Sequence, residues 1–409
     1  MPDIKPFRAF VYADAFRKNI SRLVCPPYDV ISPSGREALI QQDPLNFVRV
    51  ELPAGDPAAR YRQAARQWND WFDQGVLKRS DSPAFYVYEA AFRSPVDRRR
   101  LARRGFFAAL KVVPWGQGVF PHEKTLPTAK VDRLHLFKAL RAQTSPIQLL
   151  VQDASGRLDR LVRRRAAGAP WVRFKDAAGV THSLWLWNAD SDAKTLQSLM
   201  AQSSCAIADG HHRYETSLAY SRWARKNRPH GPPASDRVLA YFSSSDDLGL
   251  EVLPTHRAVS WEKRKFVNLE KWGTLQPVSG LRAFKEFIDG KQPGVLEAGV
   301  FYNGTFFRYA FTKTPAALRG TPHERLAVAR LHEGPLKGLG KEDFFFTRNP
   351  QEAVGRARAT NGWAFFLAPN TVQEVLDVAT AGFVMPPKST YFYPKIPSGV
   401  VSYSLEGAL

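Results

Sequence analysis

Cysteine is scarce in this chain of 409 residues, which contains only Cys25 and Cys205. Two cysteines cannot supply the disulfide framework of a small secreted domain, and no CxxC pair is present to hold zinc. Long apolar runs are missing as well, so the sequence predicts no transmembrane helix and no membrane association. Residues 1–10 lack the apolar segment of a secretory signal, and we therefore expect a cytoplasmic location.

Several common catalytic signatures are also absent. The sequence contains no GxxxxGK[ST] phosphate loop, no GxGxxG after a predicted strand and no GxSxG nucleophile elbow. Sets of cysteine and histidine with the spacing of metal ligands are missing too. These absences argue against the standard NTPase, dinucleotide-binding and serine-hydrolase folds.

Positive charge, by contrast, is abundant. The chain has 58 Lys and Arg against 38 Asp and Glu, a formal net charge of +20, which favours polyanions such as nucleic acid or nucleotides. Two arginine-rich stretches, Arg98–Arg104 and Arg157–Arg165, are candidate phosphate contacts for non-specific nucleic acid. We favour the alternative, a solvated loop and a solvated helix face, because no aromatic residues are interleaved to stack on bases.

The apolar patterning of the first part of the chain mixes helices and strands. Residues 58–77 have aromatic residues at helical spacing and predict an amphipathic helix. Residues 84–92 and 105–113 predict paired strands, with the first arginine stretch in the connection between them. Strands and helices do not alternate strictly, so the sequence predicts an α+β fold with mixed sheets.

Beyond residue 255 the local signals change, and we expect two regions, 1–255 and a C-terminal α+β lobe at 256–409. Asn303-Gly304 predicts a tight hairpin turn. Thr371, followed three residues later by Glu374, predicts a capping box at the start of a helix.

The segment CAIADGHHRYETSLAY, residues 205–220, predicts a strand, a sharp turn and a helix. Gly210 permits the turn, and the helix N-terminus that follows favours an anion. Arg213 is a candidate for bidentate phosphate binding, and Asp209 for proton acceptance or metal binding. His211 and His212 are candidate hydrogen-bond donors or proton shuttles. The alternative is a capped helix start with surface histidines.

A second polar cluster lies in FPHEKTLPTAKVDRLHLF, residues 120–137. The zinc-protease motif HExxH fails here because the fifth position is leucine. His122 and Glu123 are candidate catalytic groups, Lys130 and Arg133 are candidate phosphate ligands, and Asp132 is a candidate metal ligand. An ordinary polar loop is the alternative.

Other polar signals are weaker when each is taken alone. Asp29 follows the paired prolines of CPPYDVIS in a predicted turn. Lys388 and Ser389 belong to a cationic, hydroxyl-rich patch in the proline-rich tail, and we expect residues 385–400 to fold back over a bound ligand.

These segments, taken in order from CPPYDVIS to MPPKSTYFYPKIPSGVV, resemble the domain-of-unknown-function family ten-fifteen over about residues 4–400. The DGHHR element is similar to that of the archaeal ADP-dependent serine kinase of the ParB and sulfiredoxin superfamily. The resemblance implies a ParB/sulfiredoxin-like core in which Asp209–Arg213 holds phosphates, with ATP or ADP as cofactor and serine as the leading substrate. It does not imply sulfinic acid reduction, because the element contains no cysteine.

Three functional hypotheses follow. The first is a nucleotide-dependent phosphotransferase, kinase-like, which acts on a small hydroxyl metabolite with Mg²⁺, Asp209 or Glu123 accepting the proton. The second is a ParB-like nucleotide-binding protein that contacts nucleic acid through its basic surface. The third is a metal-dependent phosphatase or hydrolase that uses His122, Glu123, His211 and His212. We predict that the His122, Asp209 and Lys388 segments meet in one pocket.

Overall fold

The computed structural model describes residues 1–125, 127–188, 190–227, 233–280 and 296–407. Helices and mixed sheets occur along the whole described chain, which confirms the predicted α+β class. The α-helices of these residues are α1 (Ile20–Leu23), α2 (Pro33–Gln42), α3 (Val48–Glu51), α4 (Arg60–Asp73), α5 (Pro127–Leu140), α6 (Arg157–Arg165), α7 (Ser191–Ala201), α8 (His211–Asn227), α9 (Ala327–Glu333), α10 (Pro350–Ala359) and α11 (Val372–Thr380).

The strands of the same ranges are β1 (Ile4–Lys5), β2 (Ala9–Tyr12), β3 (Leu77–Arg79), β4 (Ala84–Arg93), β5 (Arg100–Lys111), β6 (Val119–Phe120), β7 (Ala142–Gln143), β8 (Ile147–Val151), β9 (Val172–Lys175), β10 (Thr181–Asn188), β11 (Cys205–Asp209), β12 (Arg237–Ser244), β13 (Glu251–Leu253), β14 (His256–Val259), β15 (Gly273–Val278), β16 (Glu297–Tyr302), β17 (Thr305–Phe311), β18 (Phe344–Thr347), β19 (Trp363–Phe366), β20 (Tyr391–Tyr393) and β21 (Ser402–Ser404).

The largest sheet has nine strands and positions the candidate site. Its order is β6-β11-β8-β12-β5-β4-β10-β9, with β1 paired to β5. Side chains alternate between its two faces, so Tyr86 and Tyr88 of β4 enter one apolar core while Phe85 and Val87 enter another. Both faces are therefore covered, and the sheet gives a rigid support for the ends of β8 and β11.

A second sheet of six antiparallel strands has the order β15-β17-β16-β19-β14-β18. The predicted hairpin is confirmed between β16 and β17, where Asn303 and Gly304 have φ angles of 47° and 79°. The predicted capping box is also confirmed, because the Glu374 amide donates to Thr371 Oγ1 at 3.1 Å and the Thr371 amide donates to Glu374 Oε2 at 2.7 Å.

The tail of the chain crosses between the sheets. Strand β20 pairs with β13, and β21 joins β2 and β7 in a four-stranded sheet built otherwise from the first part of the chain. The division into two regions at residue 255 stays a prediction. That division assigns β21 to the C-terminal lobe, whereas β21 pairs with β2 and β7 of the first region. In the described ranges, no helix has the length and apolar character needed to cross a membrane.

The first arginine stretch does not lie where we expected. Strand β5 begins at Arg100, so only residues 94–99 connect it to β4. Arg103 is fully buried and donates to the Pro394 carbonyl at 2.8 Å, and Arg104 forms an ion pair with Glu89. These two arginines are structural and lie in a strand, so neither the solvated loop that we favoured nor the phosphate-contacting alternative describes them.

The second arginine stretch forms helix α6. Its apolar side chains Leu158, Leu161 and Val162 are buried, which leaves the arginines on the outer face. Much of their charge is balanced locally, since Arg163 pairs with Asp159 and Arg165 pairs with aspartates at the start of α7. The structure therefore matches the solvated helix face that we favoured.

Candidate functional site

The strand, turn and helix predicted at residues 205–220 are confirmed as β11, Gly210 and α8, which extends to Asn227. Gly210 has a φ of +93°, a conformation that favours glycine. A Cβ atom at this position would lie 2.9 Å from Cγ2 of Ile147 on the neighbouring strand. A side chain at this position would therefore strain the turn and displace its neighbours, and the turn directs the start of α8 towards a cavity.

This cavity has a volume of about 460 Å³ and collects side chains from distant segments. Its cationic lining residues are Arg213, Lys341, Arg348, Lys388 and Lys395, and its carboxylates are Asp29, Glu123 and Asp209. The N-terminal turn of α8 contributes the backbone at Gly210 together with His211 and His212. Positive charge exceeds negative charge at the end of a helix that itself favours anions.

The His122, Asp209 and Lys388 segments meet here, as predicted. The His122 backbone amide donates to Nε2 of His211 at 3.1 Å, and His122 Nε2 lies 2.9 Å from Oγ1 of Thr390. Lys395, in the same tail as Lys388, contacts the Asp209 carboxylate. Three stretches that are far apart in sequence thus form one wall.

Asp209 is held by two cations. Lys395 Nζ donates to Oδ1 at 2.6 Å, and Arg213 donates to Oδ2 at 2.6 Å. Burial alone would raise the pKa of this carboxyl, but the charges of Lys395 and Arg213 outweigh it and hold the pKa well below its usual range. A carboxylate with both oxygens engaged is a poor base and a poor metal ligand, which argues against both predicted roles.

Arg213 is buried and has a structural role. Its Nη2 atom donates to Asp209 Oδ2, and its Nη1 atom donates to the Pro146 carbonyl. Only 3% of the residue is exposed. The predicted bidentate contact with phosphate is therefore corrected: Arg213 fixes the turn and adds positive charge beneath the cavity.

His122 and His211 are buried and neutral. His122 Nδ1 donates to the Ile207 carbonyl at 2.6 Å, and Nε2 accepts from Thr390, so both ring nitrogens are used. Burial lowers the pKa of His122 to about 4, and burial with the nearby His122 lowers the pKa of His211 well below its usual value. Because His211 Nε2 accepts the His122 amide, its proton resides on Nδ1. The pair holds the wall in place.

Glu123 and Asp29 have a different environment. Both face the cavity, and neither forms an ion pair with any residue that the structure describes. His212 also lines the cavity, and burial lowers the pKa of its ring while the Glu123 carboxylate opposes that shift. Of the predicted catalytic groups that line the cavity, Glu123 is thus the carboxylate that forms no ion pair with the described residues.

Lys341, Arg348 and Lys388 supply cations without acidic partners. In the described part of the chain, none of the three has a carboxylate within ion-pair distance. Burial and the positive charge of Lys388 lower the pKa of Lys341, and the Glu123 carboxylate opposes this shift only in part, so the two ammonium groups repel each other. The Arg348 guanidinium lies 4.1 Å from the ring centroid of Tyr391. An anion placed among these groups would relieve the repulsion.

Four predicted ligand residues, like the predicted catalytic residue His122, do not line the cavity. Lys130 pairs with Glu215 at 2.7 Å in a separate groove, and Ser389 donates to the Pro386 carbonyl. Asp132 accepts from Arg60 and Arg133, so its oxygens are not available to a metal. Arg133 is buried and stacks beneath Tyr28, 4.2 Å from its ring centroid. These predicted ligand roles are corrected to structural roles.

The described residues form no metal centre from protein groups alone. Across the described ranges, no cluster of three or more His, Cys, Asp or Glu side chains is arranged to hold a metal ion. Both ring nitrogens of His122 form hydrogen bonds within the protein, and both carboxylate oxygens of Asp209 form ion pairs within it, so none of these atoms is available to a metal ion. The geometry therefore gives no support to the metal-dependent hydrolase hypothesis.

Sequence reasoning missed Lys341, Arg348 and Lys395, which complete the cavity. Lys395 belongs to a tail segment that the sequence had marked, but its contact with Asp209 spans 186 residues. Lys341 starts a short 3-10 turn with Glu342 and Asp343, and Arg348 follows β18. The available signal was their position in loops next to strand ends.

Comparison with known proteins gives a family and weak structural similarity. No curated protein matches the sequence. Among solved structures, the chain is similar to a conserved hypothetical protein from Pyrococcus furiosus, with 14% identity, 74% of this chain and 95% of that chain covered, and a TM-score of 0.36. A free serine kinase variant in complex with ADP gives 12% identity, coverages of 74% and 92%, and a TM-score of 0.37.

A truncated SbnI from Staphylococcus aureus gives 12% identity, coverages of 72% and 86%, and a TM-score of 0.37. Structural similarity with TM-scores this low gives no evidence about the chemistry of this chain. The family assignment is stronger, because a family model matches residues 4–329. The chain therefore belongs to the family described as Protein of unknown function (DUF1015), as its motifs predicted.

Proposed function

We propose that this protein is a phosphotransferase that uses ATP or ADP with Mg²⁺ and acts on a small metabolite with a hydroxyl group. One observation carries the proposal. Lys341, Arg348 and Lys388 present positive charge, without acidic partners in the described residues, to a cavity at the N-terminus of α8. Such a site fits a phosphorylated ligand, and in the absence of a ligand the repulsion between its cations destabilises the fold.

The backbone supports the same ligand. Helix α8 is 17 residues long, so its first amides and its dipole favour negative charge at the cavity. Gly210 has no side chain, and phosphate oxygens can approach the turn closely. Phosphoryl transfer depends mainly on positioning and charge neutralisation, and these groups provide both.

Glu123 is the proposed proton acceptor for the substrate hydroxyl. Asp209 is unsuited because Lys395 and Arg213 stabilise its ionised form. Glu123 lines the cavity without an ion pair to the described residues, and His212 lies beside it. A carboxylate in this setting can accept a hydroxyl proton once substrate is bound.

The carboxylates of the cavity fit Mg²⁺ only when the phosphates of a bound nucleotide supply further ligands. Mg²⁺ uses one or two protein carboxylates and takes its other ligands from phosphates and water. Asp29 is the carboxylate that would hold it, since it faces the cavity and has no ion pair in the described ranges. When bound, the ion neutralises charge on the phosphates.

Three finer points complete the proposal, of which the first two rest on the family resemblance alone and the third on the scarcity of cysteine. Serine is the proposed hydroxyl substrate, the core is proposed to be ParB- and sulfiredoxin-like, and the location is proposed to be cytoplasmic. The cavity itself supports the class of ligand.

Phosphorus NMR tests the proposal directly. The protein is incubated with ATP or ADP, Mg²⁺ and a panel of hydroxy amino acids, and we expect a new phosphomonoester resonance with one of them. Glu123→Gln should slow its formation by about 100- to 10,000-fold, because a general base is removed. The double change Lys341→Met and Lys388→Met should instead weaken nucleotide binding.

Lys337→Met is the matched control, since Lys337 is exposed, lies four positions before Lys341 and does not line the cavity. It should leave both binding and turnover unchanged. Full activity of Glu123→Gln would contradict the assigned base. Release of inorganic phosphate without any hydroxyl acceptor would identify a hydrolase instead.

A further inference from the structure

Three aromatic side chains from separate segments gather at one end of the six-stranded sheet. Tyr302 of β16 and Trp363 of β19 are paired across the strands, and their ring centroids are 4.9 Å apart with planes at 10°. Trp261 follows β14 and lies 5.3 Å from Trp363, with planes at 21°. Strand register therefore brings together rings that the sequence separates widely.

Trp261 and Tyr302 are nearly parallel as well. Their ring centroids are 6.1 Å apart and their planes differ by 12°. The three rings therefore form one cluster of nearly parallel planes, which we call the aromatic floor. Trp261 and Tyr302 line a cavity, and Trp363, which is 7% exposed, is the buried member of the cluster.

This floor belongs to a second cavity of about 440 Å³, which shares no lining residue with the cavity at α8. Trp261 is 39% exposed, an unusual fraction for so large an apolar ring. Asn303 and Asn361 line the rim from two turns, and both are exposed. Neither amide side chain has a hydrogen-bond partner among the described residues.

Two arginines complete the surroundings. Arg358 lines the cavity from α10, and Arg264 lies 5.2 Å from the Trp261 ring centroid. Neither forms an ion pair with the described residues. The contact of Arg264 with an exposed ring is weak, so a stacking ligand can displace the guanidinium, which then becomes available to a phosphate.

We propose that this aromatic floor binds the bases of single-stranded nucleic acid. Flat rings stack on bases of any sequence, exposed amides can meet base edges, and adjacent arginines can contact phosphates. The net charge of +20 favours a long strand over a mononucleotide, because attraction to a polyanion grows with its charge. In the two arginine stretches, Arg103 and Arg165 lie over the rings of Tyr241 and Trp187, but both rings are fully buried and cannot stack on a base.

Fluorescence anisotropy of a labelled 15-nucleotide oligothymidylate tests the proposal. Trp261→Leu should weaken binding by about 5- to 150-fold, the contribution of one stacked base. Phe345→Leu is the matched control, because Phe345 is also 39% exposed but does not line this cavity, and it should bind as the wild type does. Trp261→Phe should restore most of the affinity.

A second variant tests the proposal independently, in case Trp261→Leu does not fold. Arg358→Gln changes an exposed helix residue and should reduce the slope of log affinity against log salt by about 0.7, one phosphate contact on a single strand. Unchanged affinity of a folded Trp261→Leu variant would overturn the proposal. Equal affinity for a duplex of the same length, or for thymidine monophosphate, would overturn it as well.

Neither outcome depends on the phosphotransferase assignment. The Lys341→Met and Lys388→Met double variant should bind the oligonucleotide normally, and Trp261→Leu should retain any phosphotransfer. The two proposals can therefore fail separately.

Discussion

Replacing Lys395 by methionine tests the central contact of the cavity wall. Its ammonium lies 2.6 Å from Oδ1 of Asp209, and the two side chains are only 11% and 18% exposed. Methionine keeps most of the side-chain volume and removes the charge. Asp209 would then depend on Arg213 alone, and Oδ1 would lose its donor.

The expected cost follows from burial. Removing one partner of a buried ion pair costs about 3–5 kcal/mol, but Arg213 still compensates Asp209 in this case, so we expect about 2–3 kcal/mol at pH 7. Lys78→Met provides the matched control. Lys78 pairs with Asp14 at a similar 2.8 Å, yet these side chains are 38% and 59% exposed, and the expected loss is about 0–1 kcal/mol.

The pH dependence gives a second readout. The pKa of Asp209 is lowered in the folded protein, so the pair stabilises the fold fully above the unfolded value of about 3.9. That contribution is lost as the pH falls through the folded pKa. Lys395→Met raises the folded pKa of Asp209, and the gap between variant and wild type should therefore narrow as the pH falls below about 4.

Urea unfolding followed by circular dichroism at pH 7 and at about pH 2.5, well below the unfolded pKa of Asp209, measures these differences. The reasoning is refuted if Lys395→Met costs no more than Lys78→Met at pH 7. An equal loss for Lys395→Met at both pH values would show that packing, not charge, explains the effect.

Two further predictions concern the same wall. Gly210→Ala should cost about 1–3 kcal/mol from backbone strain and close contact with Ile147, whereas Gly304→Ala, with a φ of 79° and no atom near its Cβ position, should cost less in the same thermal melt. Stability should also fall as the pH drops from about 7 to about 4, because unfolded His122 protonates near 6.5 while the folded side chain resists protonation until its pKa of about 4. Urea midpoints at pH 7 and pH 5 check this, and equal midpoints would contradict it.

The sequence predicted elements whose causes are local. The turn at Gly210, the hairpin at Asn303-Gly304 and the capped helix at Thr371 each depend on residues a few positions apart. Backbone conformations that only certain residues tolerate leave a direct mark on the sequence. For this reason these predictions were confirmed to within a residue or two.

The roles of charged side chains could not be predicted in the same way. Arg213 and Asp132 have the chemistry of phosphate and metal ligands, but long-range packing gives each of them an internal partner. Lys341 and Lys388, 47 positions apart, carry no sequence signal that they share a cavity. The tertiary structure determines which charged side chains form internal ion pairs and which of them face the cavity. The sequence alone does not reveal this distinction.

The order in which the chain is made has a consequence for the cavity. Lys388, Tyr391 and Lys395 form one wall, and β21 fastens the segment after them to β2, near the opposite end of the sequence. A ribosome must therefore synthesise nearly every other described residue before this wall exists. The nascent chain cannot hold a phosphorylated ligand in the arrangement described here, and the cavity forms only after the tail has emerged and paired.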